Sequence, residues 1–156
     1  MGVILLKMWT RLSGIPGGKW LFSRIVARKV PYSGTIRAKV IELARGSATL
    51  QLKDRRGIRN HLDSVHAVAL VNLGEMTSGI SVMTALPESC RAIVTRISTQ
   101  YFKKARGTLI CECTVALPEI TQDVDVEVQA EVKNVAGDVV SVTTVNWRVG
   151  PRPEKG

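Results

Sequence analysis

The sequence predicts an α+β chain in which a six-stranded antiparallel sheet wraps around one long, buried helix. Three observations carry this. An apolar stretch runs from Ser64 to the residue before Pro87. Apolar and polar residues alternate on both sides of it, as in half-buried strands. Glycine-bearing turn signals separate the alternating runs.

A helical N-terminus comes first. Val3, Ile4, Leu5, Leu6, Met8, Trp9 and Leu12 form an apolar segment punctuated by Lys7 and Arg11. Gly14, Pro16, Gly17 and Gly18 then break the chain before a second helix, about 19–28, that carries Trp20, Leu21, Ile25 and Val26. Residues 1–30 are expected to pack on the domain that follows. Contact of residues 1–12 with a membrane surface is the weaker reading, because one short helix binds bilayers weakly. The apolar run 3–6 is too short for a secretory signal, and a cytoplasmic location is expected.

The domain proper is expected over 31–149. Ile36, Ala38 and Val40 alternate with Arg37 and Lys39, and Ala48, Leu50 and Leu52 alternate with Thr49, Gln51 and Lys53. The turn at Ala44-Arg45-Gly46 joins the two runs in a hairpin. After the helix come strands at 91–102, 108–116, 123–133 and 139–149. Ala105-Arg106-Gly107 and Ala136-Gly137-Asp138 read as hairpin turns between neighbours. Residues 150–156 read as a flexible tail.

The helix is bounded by Ser64, a capping residue type, and by Pro87, which cannot continue a helix. Val65, Val68, Leu70, Val71, Leu73, Met76, Ile80, Val82, Met83 and Leu86 point all round its axis, the mark of a buried helix. About 20 residues would just span a bilayer. However, His66, Asn72, Glu75, Thr77, Ser78 and Ser81 are costly in lipid, so a core helix is expected. The small residues Gly74, Ser78 and Gly79 would let a second copy of the helix approach closely.

Charge and cysteine content narrow the function classes. The net charge of +9 is uneven: up to Cys111 there are 18 Lys and Arg against 5 Asp and Glu, and from Glu112 on 4 against 8. A polyanionic partner for the basic part follows. Nucleic acid ranks low, since no strand interleaves aromatics into a stacking platform. A phosphorylated small molecule or an anionic surface fits at least as well. Cys90, Cys111 and Cys113 are odd in number and lack metal-site spacing, so they read as small buried hydrophobes in a reducing compartment, with no metal.

One motif carries chemistry. Asn60, His66 and Glu75 place an amide, an imidazole and a carboxylate at the mouth and in the body of the apolar helix. A buried carboxylate is expensive unless paired or used. Each residue also has a structural reading: Asn60 as a turn residue, His66 as a capped core histidine, and Glu75 as half of a buried ion pair with an arginine. Nine residues at about 100° each put Glu75 opposite His66, some 13.5 Å along the axis. The two cannot meet within one helix. They would meet if two copies lay antiparallel, as a two-fold dimer allows.

The order of elements and these residues resemble the hotdog-fold thioesterases, more closely the PaaI-like acyl-CoA thioesterases, and most closely the uncharacterised branch known as DUF4442. In the PaaI-like motif an asparagine lies six residues before a histidine that starts the helix, and an acid follows nine residues after it. Asn60, His66 and Glu75 reproduce both spacings. The resemblance implies a hotdog fold and hydrolysis of medium- or long-chain acyl-CoA thioesters at a site shared between two subunits of a homodimer or homotetramer. Glu75 would be the general base or nucleophile, Asn60 would place water and thioester, and the Ala67 N–H would polarise the carbonyl. Thr95 would be an assisting strand hydroxyl, and Lys103, Lys104 and Arg106 would lie where relatives bind the CoA nucleotide. No cofactor is implied, CoA being part of the substrate. Ala67 and Val68 stand where PaaI-like enzymes usually carry glycines, and the acid is Glu rather than Asp. The alternative is therefore a non-catalytic hotdog module that binds acyl-CoA or acyl lipid.

Overall fold

The computed structural model describes residues 1–153. Three helices open the chain: α1 (Gly2–Leu12), α2 (Gly18–Lys29) and the short α3 (Pro31–Gly34). The hairpin β1 (Lys39–Ala44) and β2 (Ser47–Lys53) follows, then α4 (Ala67–Ala85), β3 (Cys90–Tyr101), β4 (Thr108–Thr114), β5 (Val124–Asn134) and β6 (Val139–Pro151). The six strands form one antiparallel sheet in the order β1-β2-β4-β5-β6-β3. α4 packs against every strand. Six strands at about 4.8 Å spacing make a flat sheet much wider than a helix of about 10–12 Å, so contact with all six requires the sheet to curl around α4. This is the hotdog arrangement.

Period two puts Leu50 and Leu52 of β2, Leu109 and Cys111 of β4, Ala130 and Val132 of β5 and Val145 and Val149 of β6 in the core. Cys113 and Cys90 are buried too, and burial pushes the Cys111 thiol up to about 12. The hydroxyls of α4 are reconciled with this apolar setting by bonding carbonyls. Thr77 Oγ1 donates to Leu73 O at 2.7 Å, and Ser81 Oγ reaches both Thr77 O and Cys113 O. Thr84 Oγ1 accepts the Gly46 N–H of the β1–β2 turn at 3.0 Å. Glycine at 74 is required by packing: an added Cβ would meet Thr143 of β6 at 2.5 Å. A Cβ at Gly79 would meet the Trp147 ring at 3.4 Å. Gly74 and fully buried Ser78 therefore seat α4 on its own sheet, not on a second helix as expected, while Gly79 is only half-buried.

Five further expectations are corrected. The first strand starts at Lys39 rather than Ile36, because Arg37 adopts φ 57 and interrupts the extended backbone. The cap of α4 is His66, not Ser64; Ser64 Oγ donates instead to Ala105 O at 2.8 Å. The Ala105-Arg106-Gly107 turn closes no hairpin. β3 pairs only with β6, so this segment crosses the sheet to deliver β4 between β2 and β5. Finally, β6 continues through Pro151, with buried Gly150 opposite Arg91, which shortens the expected tail. Residues 154–156 of that tail lie outside the described residues. The N-terminal helical layer likewise runs on through α3 to Gly34.

The two edges of the sheet are finished differently. At β1, the Val40 N–H donates to Ser23 Oγ of α2 at 2.9 Å, and the Ile41 carbonyl accepts from Lys19 Nζ at 2.7 Å. At β3 no element among the described residues covers the edge away from β6.

Candidate active site

The loop from Asn60 to His66 is shaped by its own polar groups. Asn60 Oδ1 accepts the N–H of Leu62 at 2.9 Å and of Ser64 at 3.2 Å, and Asp63 takes φ 51, a left-handed conformation that Asp tolerates. Arg106 clamps the loop from outside, its Nε donating to Asp63 O and its Nη2 to Leu62 O, both at 3.1 Å. Below it, Asp54 accepts from Arg59 Nε at 2.7 Å and from the Gly107 N–H at 3.1 Å. These bonds hold the Asp54 carboxyl below its ordinary value.

The mouth of α4 is open. His66 is exposed, and its Nδ1 accepts the Val68 N–H at 3.1 Å, which places the ring proton on Nε2. Ala67 is exposed at the first helical position, and its N–H has no partner among the described residues. Tyr101 leans over from the end of β3 and donates its hydroxyl to Ala67 O at 3.2 Å. A donor without a partner, at the positive end of a helix dipole, suits an oxygen that gains negative charge.

Glu75 lies half-buried in the middle of α4. Desolvation pushes its carboxyl above the ordinary 4.5, and the Ser33 hydroxyl of α3 opposes part of the rise. No cation pairs with it among the described residues, so the ion-pair reading fails. Asn72, three residues earlier and on the same face, is buried with Oδ1 unpartnered among the described residues. Its spacing from Glu75 was readable in the sequence. Ser33 had no such signal, because only folding brings α3 to α4.

Glu75 is thus kept apart from Asn60, His66 and Ala67 within one chain, by nine residues of helix and a half-turn of its face. Thr95 sits at the bulge between Val94 and Arg96, with its hydroxyl donating to Asn146 O at 3.2 Å. Of the basic trio, Lys103 pairs with Asp138 at 2.6 Å and Arg106 holds the loop. Lys104 is exposed and in no ion pair among the described residues. No group of three or more His, Cys, Asp or Glu is arranged to hold a metal ion among these residues, and no helix is long and apolar enough to cross a membrane.

Comparison with known proteins places this geometry. A structural-genomics target protein superimposes with a TM-score of 0.81 at 22% identity, over 96% of this chain and 99% of its own. A Pseudomonas aeruginosa protein of unknown function, described as a probable thioesterase, superimposes at 0.75 with 16% identity over 88% and 97% of the two chains. A thioesterase family protein from Silicibacter pomeroyi gives 0.71 with 14% identity over 83% and 96%. At such identities the likeness shows the fold. No curated protein matches the sequence significantly. The family model for a domain of unknown function, DUF4442, matches residues 18–149, and the chain therefore belongs to that family.

Proposed function

We propose that the protein hydrolyses acyl-CoA thioesters at sites shared between two subunits. The observation that carries this is Glu75: a desolvated carboxylate with no cation paired to it among the described residues, whose pKa is raised toward the range useful for proton transfer. Water attacks the thioester carbonyl while Glu75 takes its proton. The oxyanion forms against the Ala67 N–H of the partner helix. Collapse breaks the carbon–sulfur bond, and the Glu75 carboxylic acid returns the proton to the leaving thiolate. The products are free CoA and a carboxylic acid, which releases its remaining proton to water to give the carboxylate.

Assembly is supported by the uncovered edge. Ile97 pairs with buried Val145, so it belongs to the helix side of the sheet, yet it is 40% exposed. Tyr101 on β3, Val68 on α4 and Leu62 in the loop are also exposed. A second copy across β3 would cover this apolar side and lay the two α4 helices side by side. The nucleotide end of CoA would meet Lys104. Lys103 is occupied by Asp138 of the β5–β6 turn, and Arg106 supports the Asn60–His66 loop first.

A panel of acyl-CoAs with detection of the released thiol tests the reading. Turnover rising toward medium or long chains is expected. Tight binding of acyl-CoA without turnover would establish the non-catalytic module instead, the reading favoured by the side chains at Ala67 and Val68.

A further inference from the structure

A second feature is an open groove of 640 Å³ enclosed by α2, α3 and the segment that runs into β1. Arg24 and Arg28 enter it from α2, and Arg37 and Lys39 from the lead into β1. Among the described residues no carboxylate lines it, and none of the four cations is in an ion pair. The surrounding sequence is just as one-sided: from Met1 to Ile41 the chain carries eight Lys and Arg and no Asp or Glu. Like charges gathered around one concavity repel each other and focus a positive potential there, which a bound polyanion relieves.

Two details add to the charge. Arg37 holds φ 57, where a residue with a side chain is strained and glycine would be relaxed. The chain nonetheless keeps an arginine there, at the groove wall. Trp20 stands at the rim, 58% exposed, with the Arg24 guanidinium 5.3 Å from its ring centroid. An exposed indole beside guanidinium groups offers a stacking surface for a planar ring next to phosphate donors. The volume lies within the range of small-molecule sites.

We propose that this groove binds a multiply charged phosphate ester, with the phosphates on Arg24, Arg28, Arg37 and Lys39. The shared chemistry is the phosphate cluster, and its source is either a soluble nucleotide or a polyphosphorylated lipid headgroup. The proposal does not depend on thioester hydrolysis. α3 walls the groove and also brings Ser33 to Glu75, so the test reads binding rather than turnover.

Calorimetric titration of the full chain with pyrophosphate and ATP forms one arm. Co-sedimentation with phosphatidylcholine vesicles, with and without a phosphatidylinositol bisphosphate, forms the other. Binding is expected in at least one arm, weakening as salt rises. Arg24→Gln combined with Arg28→Gln should weaken it by about tenfold or more. Arg37→Gly suits the backbone at that position, so it should weaken binding severalfold with the thermal midpoint unchanged or raised. Arg148→Gln, on the far side of the sheet, should leave it unchanged. Binding of the soluble phosphates identifies a nucleotide-type ligand, and binding of only the phosphoinositide vesicles identifies a headgroup. Absence of binding in both arms overturns the proposal, as does binding indifferent to the three groove arginines or equally reduced by Arg148→Gln.

Discussion

The two edges of the sheet teach opposite lessons. β1 is short, bulged between Val40 and Glu42, and stoppered by α2, whose Ser23 and Lys19 satisfy the backbone that a neighbouring strand would otherwise use. β3 is twelve residues long, has no strand neighbour but β6 among the described residues, and exposes Ile93, Ile97 and Tyr101. Exposed strand edges are templates for pairing, and proteins that stay monomeric blunt both. Here one edge is blunted by the chain itself, and the other is open to the second copy that the proposed function calls for. The open side is also the side of the candidate site, since Tyr101 touches the mouth of α4. If the contrast is functional, damage on the open side should abolish turnover, and damage on the closed side should cost only stability.

The largest effect is expected at Glu75. Glu75→Gln should lower kcat by about 10²- to 10⁴-fold while acyl-CoA affinity and assembly mass hold. Stability gives a second readout with a definite sign. A carboxyl raised by desolvation stabilises the fold below its unfolded pKa, and that contribution is lost as pH rises through the folded value. The window therefore opens near 4.5 and extends upward. The Gln variant should match or exceed the wild type in urea midpoint at neutral pH and lack this part of the pH slope. A destabilised variant with full specific activity would show a structural acid.

Ala67→Pro should come next. Proline is well tolerated at the first helical position, and His66 at φ −62, ψ 139 already has the conformation that a following proline demands. The substitution deletes one N–H and little else. A fall in kcat of about 10²- to 10³-fold is expected, as for loss of one oxyanion donor. Unaltered turnover would remove Ala67 from the mechanism.

Ile97→Lys places a charge on the open edge. Association should weaken by about tenfold or more, and activity should fall with dilution as the protein dissociates. Light scattering that reports a fully active monomer would contradict a shared site. The smallest effect belongs to the closed edge. Ser23→Ala removes the acceptor of the Val40 N–H, at a cost of about 1–2 kcal/mol in unfolding free energy, and should leave mass and kcat untouched. A change in oligomeric state from this variant would erase the distinction between the edges.

The sequence carried the element order because period two and the run up to Pro87 are local signals. Strand adjacency was harder to read. Ala105-Arg106-Gly107 looks like any hairpin turn, and only its bonds to the Asn60–His66 loop, from Ser64 to Ala105 O and from Arg106 to Leu62 O, reveal a crossing. The cap of α4 was misplaced because Ser64 and His66 both offer acceptors, and tertiary bonds took Ser64 away. At the site, spacing alone separated Glu75 from His66. By contrast, the desolvation of Glu75 and the nearness of Ser33 depend on α3 folding back, which no local pattern encodes. Gly74 was readable as a close contact, but not as a contact to Thr143 rather than to a second helix.

The shared site itself is tested most directly by complementation. Glu75→Gln and Ala67→Pro, each nearly inactive alone, are unfolded together and refolded as an equal mixture. If each site takes Glu75 from one subunit and the Ala67 N–H from the other, a mixed dimer holds one site with both defects and one intact site. Random pairing makes half of the dimers mixed, so specific activity should recover to about a quarter of the wild type. A mixture that verifiably exchanges subunits yet stays at the level of the two variants would contradict the account and place the whole reaction within one chain.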